Sequence, residues 1–150
     1  MLIIYVDADA CPVKNETFRV AIRHNLQVYL VSNSRLNMVV DKNVHKIQVA
    51  SDLDAADNCI EEHIETGDIV VTSDILLADR CLKKNASAIN PTGLIFNNNN
   101  IVIAKSMRDL RAHLRETGVA PSYNATFSKQ DRSNFLRTLE EMIQLIKKQN

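Results

Sequence analysis

Residues 2–14 read L-I-I-Y-V-D-A-D-A-C-P-V-K. Ile3, Ile4 and Val6 make a short continuous apolar run over Leu2 to Val6. Such a run suits a strand covered on both faces, as in a parallel α/β sheet. Asp7 and Asp9 then interrupt it, so Asp7 to Cys11 is read as a loop. Pro12 fits the first turn of a helix, because it lacks only an N–H that would be unpaired there. That helix is expected from about Val13 to His24, with Phe18, Ala21 and Ile22 facing inward.

The alternation continues along the chain. Q-V-Y-L-V-S at 27–32 reads as a second strand and V-H-K-I-Q-V at 44–49 as a third. Between them, Leu36, Met38, Val39 and Val40 suggest a short amphipathic turn. A helix is expected from about Leu53 to Thr66, ended by Gly67. D-I-V-V-T at 68–72 is a buried strand, Ile75 to Lys84 a helix, and Ser87 to Asn90 a last short parallel strand. Leu94–Phe96 and Ile101–Ile103 flank four asparagines at 97–100 and read as a hairpin. Lys105 to Thr117 is helical and stops at Gly118. After a loop, Ser128 and Asp131 begin a capping box. An amphipathic helix then runs to Lys148, with Phe135, Leu139, Met142 and Ile146 on one stripe. Neither a repeat nor a linker divides residues 1–150. The expected fold is α/β: a single three-layer domain with a central, mostly parallel sheet flanked by helices.

Composition supports a core of that kind. The 150 residues are 45% hydrophobic and 24% charged, which excludes disorder as the default state. Eighteen Lys and Arg balance eighteen Asp and Glu, so affinity for nucleic acid requires a local basic patch. Cys11, Cys59 and Cys81 are an odd number without CxxC spacing, which argues against a disulfide scaffold or a structural zinc site. The opening segment lacks the basic start of a signal peptide, and no apolar run approaches the roughly 20 residues of a membrane span. A cytoplasmic protein is expected.

In sheets of this class, ligands bind beyond the carboxyl ends of the strands, where strand order reverses. That directs attention to Asp7–Cys11 and to Ser73–Asp74. If the first and fourth strands are neighbours, Asp7, Asp9 and Asp74 meet at one crevice. Asp57 joins them by a different route. Leu53, Ile60 and Ile64 form the apolar stripe of their helix, and Asp57 falls inside it at i+4. A carboxylate there is costly unless paired or bound to a cation. Clustered carboxylates also raise one another's pKa, and a hard divalent ion removes that conflict. Mg²⁺ suits a few carboxylates plus water and phosphate oxygens. The chemistry implied is metal-assisted hydrolysis of a phosphodiester. Each aspartate alone also has a structural reading as a cap or turn former. Asp74 competes with Ser73 for the N-cap of the helix from Ile75.

Basic residues offer phosphate contacts. Arg108, Arg111 and Arg115 share one helix face, and Lys14, Arg35, Lys129 and Arg132 lie in loops or helix starts. They can track a phosphate backbone or simply form solvated faces. Tyr123 is the one candidate for base stacking. Cys11 reads as a small packed residue, and the four histidines show no ligand spacing.

The blocks D-A-D-A-C-P-V-K at 7–14 and G-D-I-V-V-T-S-D at 67–74, followed by Leu77-Ala78, are distinctive. With Asn90-Pro91, Gly93, M-R-D-L at 107–110 and D-R-S-N-F at 131–135, they resemble the YaiI/YqxD family nearly end to end. The resemblance implies a PIN-like nuclease fold, whose members hold Mg²⁺ or Mn²⁺ on acidic residues at these places. It implies Asp7, Asp57 and Asp74 as catalytic metal ligands, Asp9 as the next ligand and Asp79 as a possible further acid. Lys14, Arg108, Arg111 and Arg132 would then meet substrate phosphates, with RNA favoured over DNA as partner. Glu16 sits too near its helix start to match the usual second acid, and Gly118-Val119-Ala120-Pro121 departs from the family's Gly-Pro. Two alternatives stand beside a nuclease. One is a non-enzymatic nucleic-acid or protein interaction module with a vestigial metal site. The other is a haloacid-dehalogenase-like phosphatase, with Asp7 as nucleophile and Asp9 as acid/base. Against the phosphatase, Gly67-Asp68 precedes a strand, where its motif requires an acid following one.

Overall fold

Strand β1 (Ile3–Asp7) pairs in parallel on both sides, with β2 (Gln27–Ser32) and with β4 (Ile69–Val71). The computed structural model describes residues 2–9, 11–38, 41–52, 54–118 and 126–149. Beyond β2 lies β3 (Val44–Gln48), and beyond β4 lies β5 (Ser87–Ile89), both parallel to their neighbours. β6 (Ile95–Phe96) closes the other edge in antiparallel sense, giving the order β3-β2-β1-β4-β5-β6. Strand order therefore reverses at β1, and the expected adjacency of the first and fourth strands holds.

The strands are apolar almost throughout because both faces are covered. On one face Ile4, Val6, Val28, Leu30, Ile69 and Val71 join the core under α1 (Lys14–Arg23) and α5 (Lys129–Lys148). Phe135, Leu139 and Ile143 of α5 are fully buried there. Burial of side chains this large contributes roughly 1.5–3 kcal/mol each. On the other face Tyr5, Val31, Val70 and Ala88 pack with α2 (Ala55–His63), α3 (Ile75–Leu82) and the start of α4 (Ile101–Glu116). The result is three layers, as expected. Among the described residues, no helix is long and apolar enough to cross a membrane.

Several local expectations need correction. Ile22 is 44% exposed, because α1 buries the stripe of Thr17, Val20 and Ala21 and Ile22 falls off it. The helix before β4 ends at His63, and Ile64 is already extended. Gly67, at φ +89°, serves the turn into β4 instead. There the Asp68 carboxylate accepts hydrogen bonds from the backbone N–H groups of Glu65 (2.9 Å) and Ile3 (3.0 Å). The four asparagines do not turn a hairpin. Asn97 Oδ1 accepts from the N–H groups of Asn99 and Asn100, and α4 begins at Ile101. Asn satisfies amide donors at a helix start as well as in a turn. The real hairpin joins β5 to β6 through Asn90–Gly93. Leu36 and Met38 lie partly buried against the core without forming a helical turn; Val39 and Val40 lie outside the described residues. The capping box is present, with Ser128 Oγ accepting from Asp131 N and Asp131 Oδ2 from Ser128 N, both at 3.0 Å.

Gly93 sits at φ +91°, and a Cβ there would meet the backbone of Asn134 at 2.8 Å. The hairpin thus rests directly on α5. Gly67 has a similar φ, but nothing lies within 4 Å of its Cβ position. Gly67→Ala should cost only the backbone strain, roughly 1–2 kcal/mol. Gly93→Ala adds a clash with immovable backbone and should cost at least twice as much. Thermal melts of the two variants check this; equal losses would mean that the hairpin does not bear on α5.

Candidate functional site

Asp7 ends β1, and Thr72 follows β4 directly. Because Val6 pairs with Val71, the next residues of the two strands lie side by side. Thr72 Oγ1 donates to Asp7 Oδ2 at 2.8 Å and accepts from the backbone N–H of Asp74 at 3.0 Å. One buried hydroxyl therefore fixes Asp7 relative to Asp74. Asp74, not Ser73, caps α3: its Oδ1 accepts from Leu76 N (2.9 Å) and Leu77 N (3.2 Å). Asp57, on the first turn of α2, comes within hydrogen-bonding reach of the Asp74 carboxyl.

The electrostatics follow from this crowding. Partial burial, then the charges of Asp74 and Asp7, push Asp57 up to about 6, against a smaller pull from Arg80. Burial also raises Asp7; the Thr72 hydrogen bond opposes this, and Asp74 and Asp9 add to it. Asp7 is the member that feels both Asp74 and Asp9. Asp7 and Asp57 are thus raised by burial and by neighbouring charges, beside the edge of the sheet where Asp74 also lies. They offer oxygen donors suited to a hard divalent ion. Among the described residues, no three His, Cys, Asp or Glu side chains are arranged as a ready ligand set.

Asp9 has a different surrounding. Its Oδ1 accepts from Ser32 Oγ (2.6 Å) and Ser34 Oγ (3.2 Å), and its Oδ2 from Asn33 N (2.8 Å). Burial pushes Asp9 up, but these donors outweigh it and hold the carboxyl below its usual range. Asp9 therefore ties the loop after β1 to the loop after β2. A small cavity of about 120 Å³ opens between Asp7, Asp9, Cys11, Thr72, Ser73 and Pro91. Burial raises the Cys11 thiol, in keeping with a packed residue. Asp79 stands between Lys105 (3.1 Å) and Lys83 (3.3 Å), where it links α3 to α4.

The basic residues separate into engaged and free. Arg132 pairs with Glu16, which is 5% exposed, donates to the Pro12 carbonyl, and lies over the Phe127 ring. Lys14 Nζ donates to the Cys11 carbonyl at 2.9 Å, at the lip of the acidic cavity. Arg108 is exposed beside Asp109. Arg111 lines a larger recess between the β5–β6 hairpin and α4. Tyr123 lies outside the described residues. The sequence reading missed Thr72; its one signal was a hydroxyl residue closing an apolar strand between two acids.

Comparison with known proteins adds a family. A family model described as "Uncharacterized BCR, YaiI/YqxD family" matches residues 5–145. The chain is 51% identical over 145 residues to a UPF0178 protein of Agrobacterium fabrum, covering 97% of this chain and 95% of that one. A UPF0178 protein of Rhizobium etli is 52% identical over 139 residues, covering 93% and 90%. One of Rhodospirillum rubrum is 49% identical over 146 residues, covering 97% of each. No solved structure matches the chain.

The raised Asp57 carboxyl has a thermal consequence. Its ordinary pKa is 3.8, so in the fold it holds its proton more tightly, and the stability this gives is lost as pH rises through about 6. Asp57→Asn stays neutral throughout. With chelator present, the variant should melt above wild type at pH 7.5, and the gap should close by pH 4. Solvent screening keeps the effect modest, about 2–4 °C, as for roughly 1 kcal/mol in a chain this long. A gap that persists unchanged at pH 4 would show that the charge of Asp57 is not its cause.

Proposed function

The chain belongs to the YaiI/YqxD family, and we propose that this member is a divalent-metal-dependent nuclease hydrolysing phosphodiester bonds in RNA or other single-stranded nucleic acid. The observation that carries this reading is the gathering of Asp7, Asp74 and, from the first turn of α2, Asp57 beside the carboxyl ends of β1 and β4, where burial first and then the neighbouring charges push Asp57 up to about 6. Such a cluster is unfavourable by itself and is offset by a hard cation. The PIN-like relationship belongs to the same reading, supported by acids at the carboxyl edge of a mostly parallel sheet.

Asp7, Asp57 and Asp74 would hold Mg²⁺ or Mn²⁺, with Asp9 at the rim. When bound, the ion would polarise the scissile phosphate and make an attacking water more acidic. The chain's own residues do the rest. Thr72 sets the spacing of Asp7 and Asp74. Asp74 spends one oxygen on the amides of α3 and keeps the other for the site. Asp9 stiffens the loop that carries it. Arg111 and Lys14 stand ready for phosphate oxygens, whereas Arg132 is committed to Glu16.

The phosphatase reading has less support. It needs Asp9 to deliver a proton, yet three donors hold that carboxyl ionised. The interaction-module reading draws on the absence, among the described residues, of a ready set of three ligands.

One assay separates nuclease from module. Single-stranded and duplex RNA and DNA are incubated with Mn²⁺ or with chelator, using wild type and Asp74→Asn. Asparagine is itself a good N-cap, so the fold should survive. Wild type should cleave single strands only with metal, and Asp74→Asn should lose about a hundredfold or more. No cleavage by wild type, together with no shift in melting temperature on adding Mn²⁺, would put the interaction module ahead.

A further inference from the structure

Beside the acidic cavity lies a recess of about 360 Å³ between the β5–β6 hairpin and α4. Its size falls within the roughly 300–1,000 Å³ of small-ligand sites. Ser73 belongs to both, and Asn90 of the recess precedes Pro91 of the acidic cavity. The two are therefore neighbouring compartments along one edge.

The lining is apolar with a few polar groups. Phe96 is buried at the recess, and Leu94 and Met107 flank it while remaining 51% and 42% exposed. Asn90 Oδ1 accepts from Thr92 N, Thr92 Oγ1 and Leu94 N, which fixes the amide and leaves its Nδ2 free to donate. Arg111 has no carboxylate partner among the described residues, unlike Arg108. An open apolar slot, an amide donor and a free guanidinium match one kind of guest: a flat heterocycle carrying ring carbonyls or nitrogens and linked to a phosphate.

We infer that this recess is a nucleobase subsite. It takes one unpaired base of the strand whose phosphodiester lies at Asp7, Asp57 and Asp74. The base lies between Leu94 and Met107, Asn90 Nδ2 donates to its edge, and Arg111 meets an adjoining phosphate. A base stacked and paired in a duplex cannot enter, so the site selects single strands. The inference rests on the nuclease reading for the identity of the strand, though not for the shape or chemistry of the recess. A second copy of the chain is a poorer fit, because the recess is concave and ends at an unneutralised arginine.

The test uses a fluorescein-labelled single-stranded RNA hexamer and a hexamer of abasic residues, bound to the full chain in chelator. Wild type should prefer the base-bearing hexamer by about tenfold or more. Leu94→Asp should erase that preference, and Met107→Glu, on the opposite wall, should do the same. Both positions are half-exposed, so the folds should hold, which melting curves check. Arg111→Gln should weaken both hexamers alike and lower the slope of log affinity against log salt by about one. Equal binding of the two hexamers by wild type overturns the subsite, whether or not the protein cleaves RNA with Mn²⁺. Clear preference for bases without cleavage overturns the nuclease reading alone. Self-association that Leu94→Asp abolishes, with hexamer binding unchanged, would make the recess a contact between copies and overturn the proposal.

Discussion

The register between β1 and β4 is the constraint on which the carboxyl edge depends. Val6 opposite Val71 brings Asp7 beside Thr72 and lets one hydroxyl bridge Asp7 to the backbone of Asp74. A slip of one residue would turn Ile4 and Val6 away from α5 and move Asp7 off the edge together. The same pairing that buries the core therefore also spaces the acids. No adjustment of one leaves the other in place.

That coupling explains how a cluster of like charges is tolerated. The two faces of the sheet are covered by helices, and the favourable burial there is large. Against it, the repulsion among Asp7, Asp57 and Asp74 is a local disadvantage confined to one edge. Asp9 shows the alternative. With donors from Ser32, Asn33 and Ser34 it is comfortable as an anion, and it serves the architecture of the loops. Asp7 and Asp57 are thus the two raised carboxyls at this edge, whereas Asp9 is satisfied by its donors.

Much of this was legible in the sequence. The apolar runs at Leu2–Val6, Gln27–Ser32 and Asp68–Thr72 marked strands because burial on both faces leaves no alternation to confuse with a helix. Asp57 stood out because a charge inside an apolar stripe needs a partner, and the partners are Asp74 and Asp7. Other features were hidden for physical reasons. Asparagine suits both turns and helix starts, so the run at 97–100 did not reveal that α4 begins at Ile101. Gly67 ends helices and makes turns equally well. The role of Asp9 depends on residues 23 to 25 positions away, and no local pattern reports a contact of that span. Ile22 followed the helical period but missed the stripe, because α5 decides which side of α1 is covered.

The placement of α5 has a consequence for the order in which the molecule can assemble. Phe135, Leu139 and Ile143 come from α5, which follows all six described strands, yet they share one core with Ile4 and Val6 of β1. During synthesis the whole described sheet is available before α5, one of the two helices that cover this face, exists. A nascent chain ending near residue 128 would carry the six described strands and α1, yet lack the α5 side chains that complete the cover over Ile4, Val6, Leu30 and Val71. Such a species is an open apolar platform, prone to capture by chaperones or by its own neighbours. Arg132, reaching the Pro12 carbonyl and Glu16 as α5 docks, joins the end of the chain to the loop that follows β1. A chain cut short before that helix would have its acids but lack this tie between α5 and the residues that follow β1.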